Sequence, residues 1–290
     1  LGENAMEYPK VSIIMATYNA AKTVENSLLS LICQDYENKE IIVVDGASKD
    51  GTQQIVQKYA DKLTYFISEP DNGIHDAINK GVKLATGDII GFLNSDDWYA
   101  KPDVLSTMVK NMLPETDVYS GFLLAQTNNK WRTTRPDPEL ERLYWKCTIP
   151  WPASFFKKET FEKYGFLNAK YLCSGDHEYW LRLYKMGAHF QFEQQLVTLM
   201  FDGGISSDPL KIALKEDREI ALQYGIHPIL AFIAYWKSVG RIVLVRGLRY
   251  VHLDEHLRAL LHYEPRLSNS ELEANDISVE RPWFLDCKAI

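Results

Sequence analysis

Along the first hundred residues, short β-branched apolar runs alternate with longer stretches in which apolar residues recur at helical spacing. Val11-Ser-Ile-Ile-Met-Ala-Thr17 reads as a buried strand, an apolar run bounded by polar turn residues. From about Lys22 to Gln34 the residues Val24, Leu28, Leu31 and Ile32 fall on one helical face. Glu40-Ile-Ile-Val-Val-Asp45 predicts a second strand, Asp50 an N-cap for a helix reaching about Tyr59, and Thr64-Tyr-Phe-Ile-Ser68 a third strand. A helix from about Ile74 to Leu84 then leads into a fourth strand, Asp88-Ile-Ile-Gly-Phe-Leu93. Such alternation builds crossover units and therefore an α/β fold with a mostly parallel central sheet flanked by helices.

The rhythm changes after about residue 115. Asp117-Val-Tyr-Ser-Gly-Phe-Leu-Leu124 and the polar Gln126-Thr-Asn-Asn-Lys130 predict a strand entering a turn, after which strands and helices no longer alternate regularly. Pro228 opens an apolar and basic helical region, and a tail rich in Glu and Asp follows Pro265. The expected organisation is one domain over residues 1–224, with halves at 10–100 and 101–224, followed by a C-terminal helical extension and tail at 225–290. No internal repeat or low-complexity segment interrupts it.

Composition narrows the class. A chain of 290 residues with 46% apolar and 24% charged residues is globular rather than disordered or fibrous. A net charge of -7 argues against nucleic acid as a partner, since that binding depends on clustered Lys and Arg neutralising phosphates. Cys33, Cys147, Cys173 and Cys287 are widely spaced and form no CxxC pair, so neither a zinc site nor a disulfide framework is expected, and a reducing cytoplasm suits them. No basic and apolar leader opens the chain and no apolar run approaches the ~20 residues that span a bilayer, so secretion and integral insertion are not expected.

Candidate chemistry lies at the strand ends, where open α/β sheets bind ligands beyond the carboxyl edge. Thr17-Tyr-Asn19 follows the first strand, Asp45-Gly-Ala-Ser-Lys-Asp-Gly-Thr52 the second, and Asn94-Ser-Asp-Asp97 the fourth. The spacing from Gly46 to Gly51 is that of a P-loop, but Thr52 stands where its lysine belongs, and no GxGxxG follows the first strand as a dinucleotide oxidoreductase requires. Adjacent carboxylates at Asp96 and Asp97 repel each other unless a cation neutralises them, and Mg2+ or Mn2+ prefers such oxygens together with substrate phosphates. The alternative for the same residues is a solvated turn capping the next helix.

Five segments, in order, resemble the family 2 glycosyltransferases with the GT-A fold, especially bacterial enzymes that build surface polysaccharides. They are Val11-Ser-Ile-Ile-Met-Ala-Thr-Tyr-Asn19, Ile42-Val-Val-Asp-Gly-Ala-Ser-Lys-Asp-Gly-Thr52, Asp71-Asn-Gly-Ile-His-Asp-Ala-Ile-Asn-Lys-Gly81, Gly87-Asp-Ile-Ile-Gly-Phe-Leu-Asn-Ser-Asp-Asp97 and Ser174-Gly-Asp-His-Glu-Tyr-Trp-Leu-Arg182. The resemblance implies that residues 10–100 bind a nucleotide sugar, a UDP-sugar by family frequency, and that 101–224 form the acceptor side. It implies that Thr17 and Asn19 line the nucleotide pocket, that Asp45 accepts a hydrogen bond from the base, and that Asp76, Lys80, Asn94, Ser95 and Asp96 complete the donor site. Asp96, with Asp97, is the expected ligand of a Mn2+ or Mg2+ ion on the donor diphosphate. Two departures stand out: Ile78 replaces a common Arg, leaving Lys80 as the nearby cation, and Asn94 replaces the first Asp of the metal motif, with ribose or a metal-bound water as its expected contact.

An inverting transfer also needs a base for the acceptor hydroxyl, and Asp176 stands at the matching carboxylate. Glu178 is expected to pair with Arg182 at i, i+4, and His177 to be a surface or helix-start residue. Trp151 is either a core residue or a platform for a sugar ring, and Asp202-Gly-Gly-Ile-Ser206 a turn or a loop bordering the diphosphate. A sugar nucleotidyltransferase is the enzymatic alternative, but its Gly-rich basic N-terminal loop is missing; a catalytically inactive binding protein sits poorly with Asp45, Asp96 and Asp176 together. The expected acceptor is a glycan or lipid-linked saccharide. From Ile229 to His252, Lys237, Arg241, Arg246 and Arg249 lie among apolar residues without an acid, which suits peripheral attachment to an anionic membrane surface, here the inner face of the cell membrane; packing onto the catalytic domain is the alternative.

Overall fold

The computed structural model describes residues 8–127, 130–201, 210–250, 267–273, 277, 279 and 282–287. Its first half follows the alternation of the sequence: β1 (Val11–Thr17), α1 (Val24–Ile32), β2 (Lys39–Asp45), α2 (Thr52–Gln57), β3 (Tyr65–Ser68), α3 (Ile74–Leu84) and β4 (Ile89–Phe92). These strands pair in parallel in the order β3-β2-β1-β4, with Ile13 opposite both Ile41 and Gly91. Successive residues of β1 serve opposite faces: Ile13 packs with Leu28 and Val43, Ile14 with Ile42 and Val82. A strand covered by helices on both sides has no polar face, which is why its sequence is a continuous apolar run.

The expected N-cap at Asp50 is displaced by one residue. Gly51, at φ 104°, precedes α2, and Asp50 instead accepts from the Thr52 amide (3.1 Å), the Thr52 hydroxyl (2.6 Å) and the Ala21 amide (2.9 Å). The carboxylate thus ties the helix start to the loop after β1.

The second half contains β5 (Asp97–Tyr99), α4 (Val104–Asn111), β6 (Val118–Thr127), β7 (Lys130–Thr134), β8 (Ser154–Lys157), α5 (Lys158–Tyr164), α6 (Gly175–Lys185) and β9 (Phe190–Met200). The same sheet continues as β8-β6-β9-β5, with β7 pairing β6, and here every pairing except β6 with β9 is antiparallel. The expected mostly parallel order therefore holds for the first half alone. Only β6 and β7 are joined by a short turn; β4 with β8, β6 with β8 and β5 with β9 pair across intervening elements, so no regular strand–helix alternation marks the second half in sequence.

Helices α7 (Leu210–Gln223) and α8 (Pro228–Tyr250) pack against each other beside α6. The described tail folds back onto the domain. Trp131 and Leu267 exchange backbone hydrogen bonds of 2.7 and 2.8 Å, and Phe284 is buried against Leu29 and Cys33 of the α1 region. This return brings Cys33 and Cys287, 254 residues apart, to a Cα separation of 6.0 Å and a disulfide. The expectation of no disulfide is corrected here: spacing along a chain carries no information about a contact made by a returning tail.

Candidate active site

At the carboxyl edge of β1 and β2 the loops are locked by their own polar residues. Asp45, wholly buried, accepts from the Ser48 amide (2.9 Å) and the Ser68 hydroxyl (2.6 Å), and the Ser48 hydroxyl binds its other oxygen. Asn19, at φ 48°, donates its amide to Ser48 Oγ (2.8 Å) and accepts from the Lys49 amide (3.0 Å). Gly46 leaves room for Asp71, whose Oδ2 would lie 2.6 Å from a Cβ there. Thr17 Oγ1 is buried with no partner, an open hydroxyl in an otherwise satisfied crevice.

Lys80 is less free than its expected role requires. Its ammonium lies 2.8 Å from Glu69 and 3.7 Å from Asp76 and donates to the Pro70 carbonyl at 3.1 Å. The Glu69 contact above all holds its pKa above the usual lysine value. Asp76, in the first turn of α3, also accepts from the Asn72 amide at 3.0 Å.

Beyond β4, Asn94 spends its side-chain N–H on Asp97 Oδ2 at 2.8 Å. Asp97 is wholly buried, and its Oδ1 has no partner. Burial first, and the neighbouring Asp96 charge second, push the Asp97 carboxyl well above the ordinary carboxylate range. Asp96 is half-buried and raised by the same loss of solvent, and Ser95 is buried beside it. A carboxyl pair short of both water and donors is what a divalent cation relieves, so these residues fit Mn2+ or Mg2+. Among the described residues no group of three or more His, Cys, Asp or Glu could hold a metal ion.

Asp176 occupies the first turn of α6, where Oδ1 accepts from the His177 amide at 2.8 Å and Oδ2 lies 3.7 Å from the Cys147 thiol. Burial raises its pKa despite the nearby His75 and His177, which makes it a better base than a solvated aspartate. His75 carries no expected role from the sequence, although it lies inside the third family-like segment. Its Nδ1–H donates to the Tyr171 carbonyl at 2.7 Å, and its ring fills the space beside Gly175, within 2.7 Å of where a Cβ would stand. The third and fifth segments therefore meet at the residue preceding Asp176.

His177 lies in the first turn of α6, as the helix-start reading has it, and corrects only the surface alternative. Instead of lying on the surface it is 1% exposed, with Nδ1 2.8 Å from Asp217 and Nε2 2.6 Å from the Leu143 carbonyl. Both ring nitrogens face acceptors, so the imidazolium donates to both; burial opposes that charge, but Asp217 and Leu143 outweigh it and raise the pKa. Glu178 pairs with Arg182 as expected, at 3.1 and 2.9 Å. Glu216 accepts the amides of Leu172, Cys173 and Ser174 at 2.8 to 2.9 Å, so α7 holds the segment carrying Asp176 through both Glu216 and Asp217. The sequence carries no signal for either acid, since each lies about forty residues from its partners.

A cleft of about 610 Å³ opens beside Asp176, lined among others by Arg135, Cys147, Thr148, Trp151 and Met200. Met200, which also lines this cleft, is the β-partner of Asp97. Trp151 packs on Phe92 and Trp180 at 4.8 and 5.3 Å, a core position, yet its indole N–H has no partner, and neither has Thr148 Oγ1. Two buried, unpaired groups in the wall of a cleft suit a hydroxyl-rich ligand. The expected loop at Asp202–Ser206 lies outside the described residues.

A model of glycosyl transferase family 2 matches residues 12–173, ending just before α6. A PGL/p-HBAD biosynthesis glycosyltransferase of Mycobacterium tuberculosis is 27% identical over 83% of this chain and 96% of its own length. An uncharacterized glycosyltransferase of Rickettsia typhi is 29% identical over 70% and 67%. Among solved structures, the mannosyltransferase PcManGT of Pyrobaculum calidifontis, in complex with GDP-Man and Mn2+, aligns with a TM-score of 0.59 at 21% identity, covering 90% of this chain and 78% of its own. S. aureus TarS 1-349 in complex with UDP-GlcNAc aligns at 0.57 with 19% identity, covering 80% and 72%. Both share the fold, a curled α/β sheet of the GT-A type.

Proposed function

Because the chain belongs to glycosyl transferase family 2 and is a glycosyltransferase, we propose that it transfers a sugar with inversion from a UDP-sugar to a hydroxyl of a glycan or lipid-linked saccharide, in surface polysaccharide synthesis on the cytoplasmic side of a membrane. The observation that carries this reading is the cleft beside Asp176, which is also lined by Met200, the β-partner of Asp97. Asp176 takes the proton of the acceptor hydroxyl while that oxygen forms its bond to the anomeric carbon and the bond to the diphosphate breaks on the opposite face. A divalent ion held at Asp96 and Asp97 would supply the positive charge that the departing diphosphate needs. Thr17, Asn19, Asp45 and Ser95 shape the donor crevice, with Asp76 and Lys80 at its rim and Asn94 orienting Asp97. Trp151 Nε1 and Thr148 Oγ1 are the groups proposed to hold sugar hydroxyls near the base.

Nucleotide-sugar complexes of the two solved neighbours, with UDP-GlcNAc and with GDP-Man and Mn2+, support a nucleotide-sugar donor and a divalent ion. Incubation with Mn2+ and a panel of UDP- and GDP-sugars, read by release of nucleoside diphosphate, tests the reading. Slow hydrolysis of a UDP-hexose or UDP-N-acetylhexosamine that stops in EDTA is expected. Hydrolysis unaffected by EDTA would remove the metal, and preference for a GDP-sugar would replace the donor.

A further inference from the structure

Helix α8 is built the wrong way round for an ordinary surface helix, which turns large apolar residues inward and polar ones outward. Its small residues face the protein: Ala231 is 2% exposed, and Ala234 and Ser238 line a narrow gap with Leu214 and Ala221 of α7 and Trp145. Tyr235 lines the same gap, but most of the helix's large apolar residues face out. Ile229, Phe232, Ile233 and Trp236 are each more than half exposed, as are Val243 and Leu244 two turns further on. These positions follow the i, i+3, i+4, i+7 spacing of a single helical face. Packing of this stripe onto the catalytic domain is therefore not what the described residues do.

We propose that this face of α8 seats the protein on an anionic lipid surface, with the helix lying along the interface. The segment 228–250 carries Lys237, Arg241, Arg246 and Arg249 and no acidic residue, in a chain whose net charge is -7. Exposed Lys237, and a helix whose sequence holds three arginines and no acid, match anionic headgroups, while the outward apolar face matches acyl chains. A second copy of the helix would instead bring like charges together. No helix among the described residues is long and apolar enough to cross a membrane, so insertion by the face rather than by the length is the geometry available. Trp145 flanks α8 and is 42% exposed, and Cys147, two residues on, lines the cleft beside Asp176. A protein seated this way presents its cleft close to a lipid-borne acceptor, which adds a surface to the proposed reaction without depending on it.

Cosedimentation of the full chain with vesicles of phosphatidylcholine, with and without about 30 mol % phosphatidylglycerol, reads the inference directly. Expected is at least about tenfold tighter binding to the anionic vesicles at roughly 0.1 M salt, weakened at roughly 0.5 M. The double variant Phe232→Ser/Trp236→Ser should lose that binding while its thermal midpoint and donor hydrolysis match the wild type. Equal binding to both lipids, or none to either at low salt, would overturn the proposal. So would a wild-type dimer that the double variant dissolves, since the face would then belong to a second copy. Vesicle binding without donor hydrolysis would leave this inference standing and remove the transfer reading.

Discussion

Two buried carboxylates at opposite ends of the parallel strands have opposite surroundings. Glu40, at the amino end of β2 and 2% exposed, is met by Lys10 Nζ (2.6 Å), Ser12 Oγ (2.5 Å), the Thr86 amide (2.6 Å) and the Thr86 hydroxyl (2.8 Å). Burial alone would raise its pKa, but these donors together bring it down to about 2. Asp97, beyond the carboxyl end of β4 and wholly buried, has the Asn94 amide on one oxygen and no partner on the other, and its pKa is pushed up. A saturated carboxylate fastens strands and loops; an undersupplied one is available for chemistry with a ligand from outside. The contrast separates acids whose oxygens are saturated within the fold from acids left with an open oxygen, although both kinds look alike in sequence.

The largest expected effect lies at the reactive edge. Asp176→Asn should lower kcat by about 10³-fold while the donor dissociation constant changes by less than about twofold, because the amide keeps the shape and loses the basicity. Single-turnover transfer and donor titration check the two halves, and wild-type kcat in the variant would move the base elsewhere. At the other end, Glu40→Gln should cost about 3 kcal/mol of stability, the free energy tied to lowering its pKa from 4.5 to about 2, with turnover per folded molecule unchanged. Urea melts measure the loss; a loss of turnover with unchanged stability would erase the contrast.

Asp97→Asn should do the reverse. Donor turnover should fall by about 100-fold as the proposed metal site weakens, while the fold is as stable as the wild type or more so, since a buried carboxyl with one oxygen unpaired is replaced by a neutral group. The smallest effect is in pH. Glu40 contributes stability above its ordinary pKa of 4.5, and that contribution disappears as pH falls toward about 2. Asp97, with its pKa raised in the fold, costs stability as pH rises above the ordinary 3.8, and Mn2+ with UDP should recover more of that cost at about pH 8 than at about pH 5. Melting midpoints at the two pH values, with and without Mn2+ and UDP, decide the sign.

Much of the first half is legible in the sequence because its signals are local. A doubly covered strand needs a continuous apolar run, and the ligand edge follows each run immediately, so the runs themselves locate Thr17, Asp45 and Asn94 through Asp97 at that edge. Glu178 with Arg182 is equally readable, four residues apart on a helix. The second half is harder, since its strands pair across turns and long connections and leave no repeating pattern.

What the sequence determined by itself is the order of elements, the α/β class and the identities of the acids at the strand ends, all set by residues within a few positions of one another. Tertiary structure alone decided which of these acids are satisfied and which are not. It turned His177 inward to Asp217, set His75 against Gly175, carried Cys287 back to Cys33 and faced most of the large apolar residues of α8 away from the protein. Each of those outcomes is a contact between distant segments, and the burial that shifts a pKa or exposes an apolar face exists only once those segments have packed.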